Sequence, residues 1–333
     1  AAPRGILDLA KNKNCKKVLV MSGTIFRNTE KDLENLVAIA RKGDYEPIRK
    51  TKKYNKDTRK YELNKESMRE YFKCLISYYP GNPDEGYPKV VYHTIDIPMP
   101  QSYWKNKKGT GYYETHLRVK AALKRKKDGG DGAEKGEMYV TTMRSKANRN
   151  YIDSEKKLES PKGDWIVDKI KEDPTQKTII YSFFIESGIE AVQTKLAKAG
   201  IKTTFLKQSL SAKEKTRIVD EYNAAPKNDL AKGNGIILIT KAGSEGIDFK
   251  GTRREIIVEK DFSSAAINQI VARGARYMSH EHLPAADRRV DVYFLKLLLP
   301  KGMARPVEGG EPLLTIDERI DDIIKGKDKE EET

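Results

Sequence analysis

Two hydrophobic periods run through the second half of this chain. From residue 160 onward, short apolar runs alternate with stretches of helical period. Residues 178–184 (TIIYSFF), 202–206, 236–240 (IILIT), 255–259 and 290–299 are short and apolar enough for buried strands. Between them lie helix patterns. Residues 165–171 pack through Trp165, Ile166, Val167 and Ile170, and residues 187–200 place Ile189, Val192, Leu196 and Ala199 on one face, with Gly200 as the stop. Ser211 caps a third helix running to about Tyr222, and Glu214 three residues on completes a capping box. A fourth helix starts near Ser263. Strands alternating with helices predict an α/β fold with a parallel sheet, whose ligands sit beyond the C-terminal strand ends.

The first half is less regular. Residues 18–21 form a short strand candidate, and Thr29 is placed to cap a helix over 30–41 with Leu33, Leu36, Val37 and Ala40 on one face. Residues 67–79 read as a helix, 80–88 as a turn-rich break, 89–97 as an alternating strand and 112–127 as a helix. Residues 128–137, rich in glycine and charge, read as a flexible surface loop. After the last strand come a loop over 301–310, a short amphipathic helix over 314–325 and a charged, disordered end at 326–333. The expected organisation is therefore 1–40 as the end of one domain, 41–159 as a basic connecting region, 160–300 as the compact α/β domain and 301–333 as a terminal helix and tail.

Charge sharpens this picture. The 333 residues carry a net charge of +15 with 34% charged and 38% hydrophobic residues. Residues 41–160 hold 28 Lys and Arg against 17 Asp and Glu, with Tyr45, Tyr54 and Tyr61 interleaved among the bases. Such mixtures suit backbone contacts to nucleic acid with aromatics available for stacking; the competing reading is a solvated linker. Cys15 and Cys74 are the two cysteines, with no CxxC pair, which points to an intracellular, reducing setting. The apolar run 290–300 contains Asp291 and Lys296 and is too short to span a bilayer, so no membrane partner is expected. The first residue is alanine, so the chain is expected to be a fragment. His280-Glu281-His282 is too small a set for a metal site, and the acid pairs Asp84-Glu85, Asp220-Glu221 and Asp317-Glu318 read as solvated surface.

The chemistry concentrates in residues 235–280. A buried strand runs into the loop Lys241-Ala242-Gly243-Ser244-Glu245-Gly246-Ile247-Asp248. Glycines directly after a strand let backbone N–H groups approach a phosphate closely. A helix from about Ser263 carries Gln269, Arg273 and Arg276, with the arginines three residues apart on one expected face. Fork-shaped and always charged, they suit the γ-phosphate of a nucleotide.

TKAGSEGID followed by QIVARGARYMSH resembles motifs V and VI of superfamily 2 helicases, with wording closest to the Swi/Snf-like DNA-dependent ATPases of large cytoplasmic DNA viruses, the poxvirus enzymes among them. Ala272 stands where the motif VI pattern has glycine. MSGTIFRNTEKDLENLVAIA resembles motif III, with Ile25 where a proline is usual, and TIIYSFF resembles motif IV. Segments 71–79 and 87–103, and the basic stretch 143–149, resemble the same viral group. The resemblance implies a second RecA-like lobe, with the end of a first one at 1–40.

By resemblance, ATP with Mg2+ binds between two such lobes. Arg273 and Arg276 then stabilise the γ-phosphate and Gln269 orients the helix end. Gly246, Asp248 and the motif III residues Ser22, Gly23 and Thr24 face the nucleotide cleft. Thr240, Lys241, Gly243, Ser182, Arg144 and Lys146 hold DNA. No G-x-x-x-x-G-K-[ST] phosphate loop occurs in the chain. The expectation is a C-terminal part of a DNA-dependent ATPase or translocase in viral transcription or DNA processing. Its ATP phosphates are gripped by a first lobe, and no hydrolysis is expected from this chain by itself. Double-stranded DNA and a viral RNA polymerase are the expected partners, in a virion or the host cytoplasm. The alternative is a non-catalytic nucleic-acid-binding or docking subunit of a transcription complex. A dinucleotide oxidoreductase is disfavoured, because AGSEG does not match G-x-G-x-x-G.

Overall fold

In a computed structural model, residues 8–19, 30–43, 46–56, 60–73, 75, 86–107, 109–125, 132–151, 158–229, 232–241, 246–308 and 310–332 are described. The expected motif III residues Ser22, Gly23 and Thr24, the cap Thr29, and Gly243 lie outside them. The chain divides into two compact units. One comprises residues 1–82, 263–266 and 324–333, the other 83–262 and 267–323.

The larger unit is built on a six-stranded sheet of β3 (Lys89–Pro98), β6 (Thr178–Tyr181), β7 (Thr204–Leu206), β8 (Ile236–Ile239), β9 (Arg254–Ile257) and β10 (Arg289–Leu298). Their order is β3-β10-β9-β6-β8-β7, and every pair is parallel. Each residue of β6, β8 and β9 is buried. Such strands read as continuous apolar runs because both sheet faces are covered by helices. This is the RecA-like α/β arrangement expected from the sequence. Tyr181 of β6 lies opposite Ile239 of β8 and Ile257 of β9, and Leu206 of β7 also lies opposite Ile239. The four strands therefore end almost in one line, and the chain leaves them at adjacent points.

Local sequence explains the flanking helices. Ser160 caps the Pro161–Glu172 helix by accepting from the Gly163 N–H, and proline at its start has no N–H to lose. Ser211 and Glu214 form the expected reciprocal capping box on the Ala212–Ala224 helix. Gly200 takes φ +75°, and the Ile201 N–H returns to the Leu196 carbonyl, closing the preceding helix with a left-handed stop.

Several expectations are corrected. The strand over 89–97, assigned to a connecting region, is an edge strand of the sheet, and the compact unit starts at Pro83 rather than 160. Its pairing partner β10 lies almost 200 residues downstream, a distance that local periodicity does not register. Residues 132–137, read as loop, belong to the Gly132–Asn148 helix, where Ala133, Glu134, Lys135 and Glu137 are good helix formers. Residues 187–200 do not form one helix: a π-helical turn at Ile185–Glu190 precedes the Ala191–Lys198 helix. The terminal helix runs from Ile316 to Glu332, through the end read as disordered. Asp317 is not solvated surface. It is 6% exposed, lies 2.7 Å from the buried Lys162 Nζ and accepts the Leu297 N–H.

In the smaller unit, the Glu30–Ala40 helix agrees with the expected 30–41 element. The basic, tyrosine-bearing stretch folds into an antiparallel hairpin of β1 (Lys52–Asn55) and β2 (Lys60–Leu63). Tyr54 and Tyr61 pair across it and remain exposed. The helix that follows spans Lys65–Phe72 and is capped by Asn64.

Removal of the capping box tests this reading of the larger unit. Ser211→Ala is expected to lower the unfolding free energy by about 1 kcal/mol in urea titrations, and Ser211→Asp to restore most of it. An unchanged midpoint for Ser211→Ala would show that the cap is not formed.

Candidate functional site

The residues singled out in 235–280 converge at the C-terminal edge of the sheet. β8 delivers Thr240, which is buried, and Lys241, which is exposed. The described chain resumes at Gly246, whose φ of +74° requires glycine's freedom. Asp248 follows in the open, and Phe249 is fully buried. The Phe249 N–H donates to the Arg273 carbonyl at 2.9 Å, and the Gly251 N–H donates to the Ser279 carbonyl. Asn223, near the end of the Ala212–Ala224 helix, grips both sides of Phe249. Its Nδ2 donates to the Asp248 carbonyl at 3.1 Å and its Oδ1 accepts the Lys250 N–H at 2.7 Å. Residues 248–251 are thus hydrogen-bonded to the arginine segment and to the end of that helix.

The arginines do not share a helix face as expected. The helix spans Ser264–Val271, and Ala272 to Arg276 form the turn after it. The helix stops there because the Arg273 carbonyl is taken by Phe249 and because Gly274 passes directly over a side chain of β9. Gln269 is exposed on the last helical turn, Arg273 is half-buried and Arg276 reaches outward. The Arg276 guanidinium lies 2.5 Å from the Asp248 carboxylate, with the side chains 42% and 50% exposed, and its Nε donates to the Ala272 carbonyl. The two motifs are therefore joined by an ion pair in solvent.

Beneath the turn lies Glu255 of β9, fully buried. A Cβ on Gly274 would come 2.2 Å from Glu255 Oε1, so the close approach depends on glycine. Among the described residues neither Glu255 oxygen makes a hydrogen bond of ordinary geometry. Burial therefore holds its pKa well above the ordinary value of 4.5, and the neighbouring Gly274 amide offsets that in part. Burial thus favours the protonated form of this carboxyl.

A second acid, Glu259, closes the other side of the edge, also fully buried. Its Oε1 accepts from the Ser182 hydroxyl at 2.7 Å and the Phe183 N–H at 2.5 Å, and its Oε2 accepts from Asn148 Nδ2 at 2.9 Å. Burial raises its pKa against the opposing pull of Lys162. Ser182 and Arg144, expected at nucleic acid, are committed inside the domain. Ser182 is 0% and Arg144 5% exposed, and the Arg144 guanidinium donates to the Lys260 carbonyl while lying over Phe183, Phe184 and Phe262. Lys146 is half-buried and donates to Asn150 Oδ1 and the Thr110 carbonyl; burial, helped by Arg118, lowers its pKa to about 8.

Glu255 and Glu259, which shape this edge, are not among the residues expected from the sequence. The available signal was EIIVE, a buried-strand run with an acid at each end. His280 is also internal: its Nε2 lies 2.6 Å from the Thr252 carbonyl.

Part of this chain resembles known proteins. The helicase conserved C-terminal domain profile matches residues 161–278, which include both β8 and the arginine turn. Residues 161–278 are therefore similar to a helicase conserved C-terminal domain. "Putative ATP-dependent RNA helicase L538" of Acanthamoeba polyphaga mimivirus is 34% identical over 141 residues, 42% of this chain and 30% of that protein. "Nucleoside triphosphatase I" of Heliothis armigera entomopoxvirus is 33% identical over 115 residues, 34% of this chain and 16% of that protein. The chain thus spans less than a third of the length of these relatives. Among solved structures, the C-terminal part of the Fun30 ATPase domain aligns at 15% identity with a TM-score of 0.48, covering 73% of this chain and 99% of that one.

The buried Glu255 gives a pH signature. The folded state keeps a proton that the unfolded state releases above the ordinary value of 4.5. The group's contribution to stability is therefore complete below that value and is lost as pH rises toward the elevated folded-state value, with a limiting slope of about 1.4 kcal/mol per pH unit. Glu255→Gln is expected to flatten that fall in urea-unfolding free energies measured between about pH 5 and about pH 9. Equal slopes for the two proteins would show that Glu255 is ionised in the fold.

Proposed function

We propose that this chain is the C-terminal part of a superfamily 2 DNA-dependent ATPase of translocase type, acting in viral transcription or DNA processing. A first RecA-like lobe grips the ATP phosphates and Mg2+. The present chain supplies Arg276 and Arg273 to the γ-phosphate. Gln269 and Gly246 border the same face, and Thr240 and Lys241 lie where a nucleic-acid backbone passes.

The observation that carries this reading is the Arg276–Asp248 pair. A guanidinium is stationed on a surface turn and held to a carboxylate by an exposed ion pair. Exposed pairs of this kind are worth about 0–1 kcal/mol, whereas a γ-phosphate offers more negative charge and bidentate geometry. The pair therefore keeps Arg276 oriented at little cost and releases it to a phosphate. Asp248 is read as the holder of the arginine in the absence of nucleotide. No group of three or more His, Cys, Asp or Glu side chains suited to a metal occurs among the described residues, so no magnesium ligand is assigned to them.

The test is hydrolysis by the full-length protein carrying Arg276→Ala. DNA-stimulated ATPase activity is expected to fall by about 10³-fold or more, in the range attributed to arginine fingers, while DNA binding changes little. Near-normal hydrolysis would reject the finger assignment.

A further inference from the structure

Phe183 lies two residues past the end of β6 and is 49% exposed. Ile185, two residues on, is 52% exposed. The ring is nevertheless tightly placed. Its backbone N–H is bound by the buried Glu259 carboxylate, and Ser182 Oγ, bound to the same oxygen, accepts the Phe184 N–H at 3.1 Å. The buried Arg144 guanidinium lies 5.1 Å from the Phe183 ring centre, and the Phe184 ring meets it edge-on at 5.2 Å. The π-helical turn that follows contains Gly188, where a Cβ would fall 1.8 Å from Ser182 Oγ. Such turns recur at functional sites because they re-aim the chain. An exposed aromatic held by a buried arginine and a buried acid is not a loose loop residue.

Beside the ring opens a cavity of about 730 Å3, lined by Phe183, Ile185 and Phe205 with Thr240, Lys207 and Lys241. That volume falls within the roughly 300–1,000 Å3 typical of small-ligand pockets. Glu190 brings one acid to the lining, against two lysines. An apolar floor with cations at its margin matches a nucleotide: a flat base that stacks, and phosphates that need counter-charge.

We propose that Phe183 is a stacking platform for one unpaired base of a nucleic-acid strand, whose flanking phosphates pass Lys207 and Lys241. The proposal rests on the nucleic-acid reading above and adds a preference for an unpaired base. Arg144 and Ser182 act through Phe183, as positioning residues.

The experiment uses this chain with a single-stranded oligonucleotide carrying 2-aminopurine and with the fully paired duplex of the same sequence. Phe183→Leu keeps an apolar side chain and removes the π-face; Phe183→Trp keeps the π-face. Phe183→Leu is expected to weaken single-strand binding about tenfold and abolish 2-aminopurine quenching, with duplex affinity changed by less than about twofold, while Phe183→Trp retains both binding and quenching. If Phe183→Leu binds and quenches like the unsubstituted chain, the platform is overturned and the nucleic-acid reading stands. If the unsubstituted chain binds neither oligonucleotide, both are overturned.

Discussion

Two carboxyl groups buried along one segment of β9 and its exit organise the edge on which everything else depends. Glu255 lies under the arginine turn and Glu259 under the loop that leaves β6, and both are fully buried. Burying an acid is costly unless it is neutralised or fully hydrogen-bonded, and the two positions take the two different solutions. Glu255 has no strong partner among the described residues, and burial favours its protonated form. Glu259 gathers Ser182, Phe183 and Asn148 around its oxygens. Each solution demands a specific neighbour: a glycine at 274, because a Cβ would collide, and a hydroxyl at 182, because it completes the shell.

The consequence is a hydrogen-bonded edge that carries one exposed ion pair and one exposed ring. The loop after β8, the turn 272–276 and the end of the Ala212–Ala224 helix are bonded to one another through Phe249, Asn223 and Gly251. On this frame the Arg276–Asp248 pair is the part exposed to solvent, and such pairs are easily exchanged. In the proposed function, the frame holds the arginine in place and the weak pair lets it change partner. On the other side of β6, Arg144 and Glu259 hold the Phe183 ring in the open, next to an apolar cavity with lysines at its margin. Precision comes from buried groups and availability from exposed ones.

Much of this could be read in the linear chain. The five strands after residue 160 follow from short apolar runs, and the Ser211 cap, the Glu214 box and the Gly200 stop each have local chemistry that needs no tertiary context. β3 could be recognised as a strand but not placed, since its partner lies far downstream. The end of the helix at Val271 was hidden, because QIVARGAR continues a helical pattern and only the carboxyl beneath Gly274 shows why the chain turns there. Arg144 and Ser182 were read as facing outward, since a basic stretch reads that way, yet Ser182 is buried and Arg144 lies inward against three phenyl rings. Asp317 misled in the same way, because its ion pair with Lys162 joins residues far apart in sequence.

The claim that this chain lends guanidinium charge to a nucleotide gripped by a first lobe is tested most directly by a structure of the full-length protein with DNA and a planar mimic of the transferring phosphate. The Arg276 guanidinium is expected to have left Asp248 and to lie about 2.7–2.9 Å from the oxygens or fluorines of that mimic. An Arg276 still bound to Asp248, with no side chain of residues 235–280 at the phosphate, would contradict it.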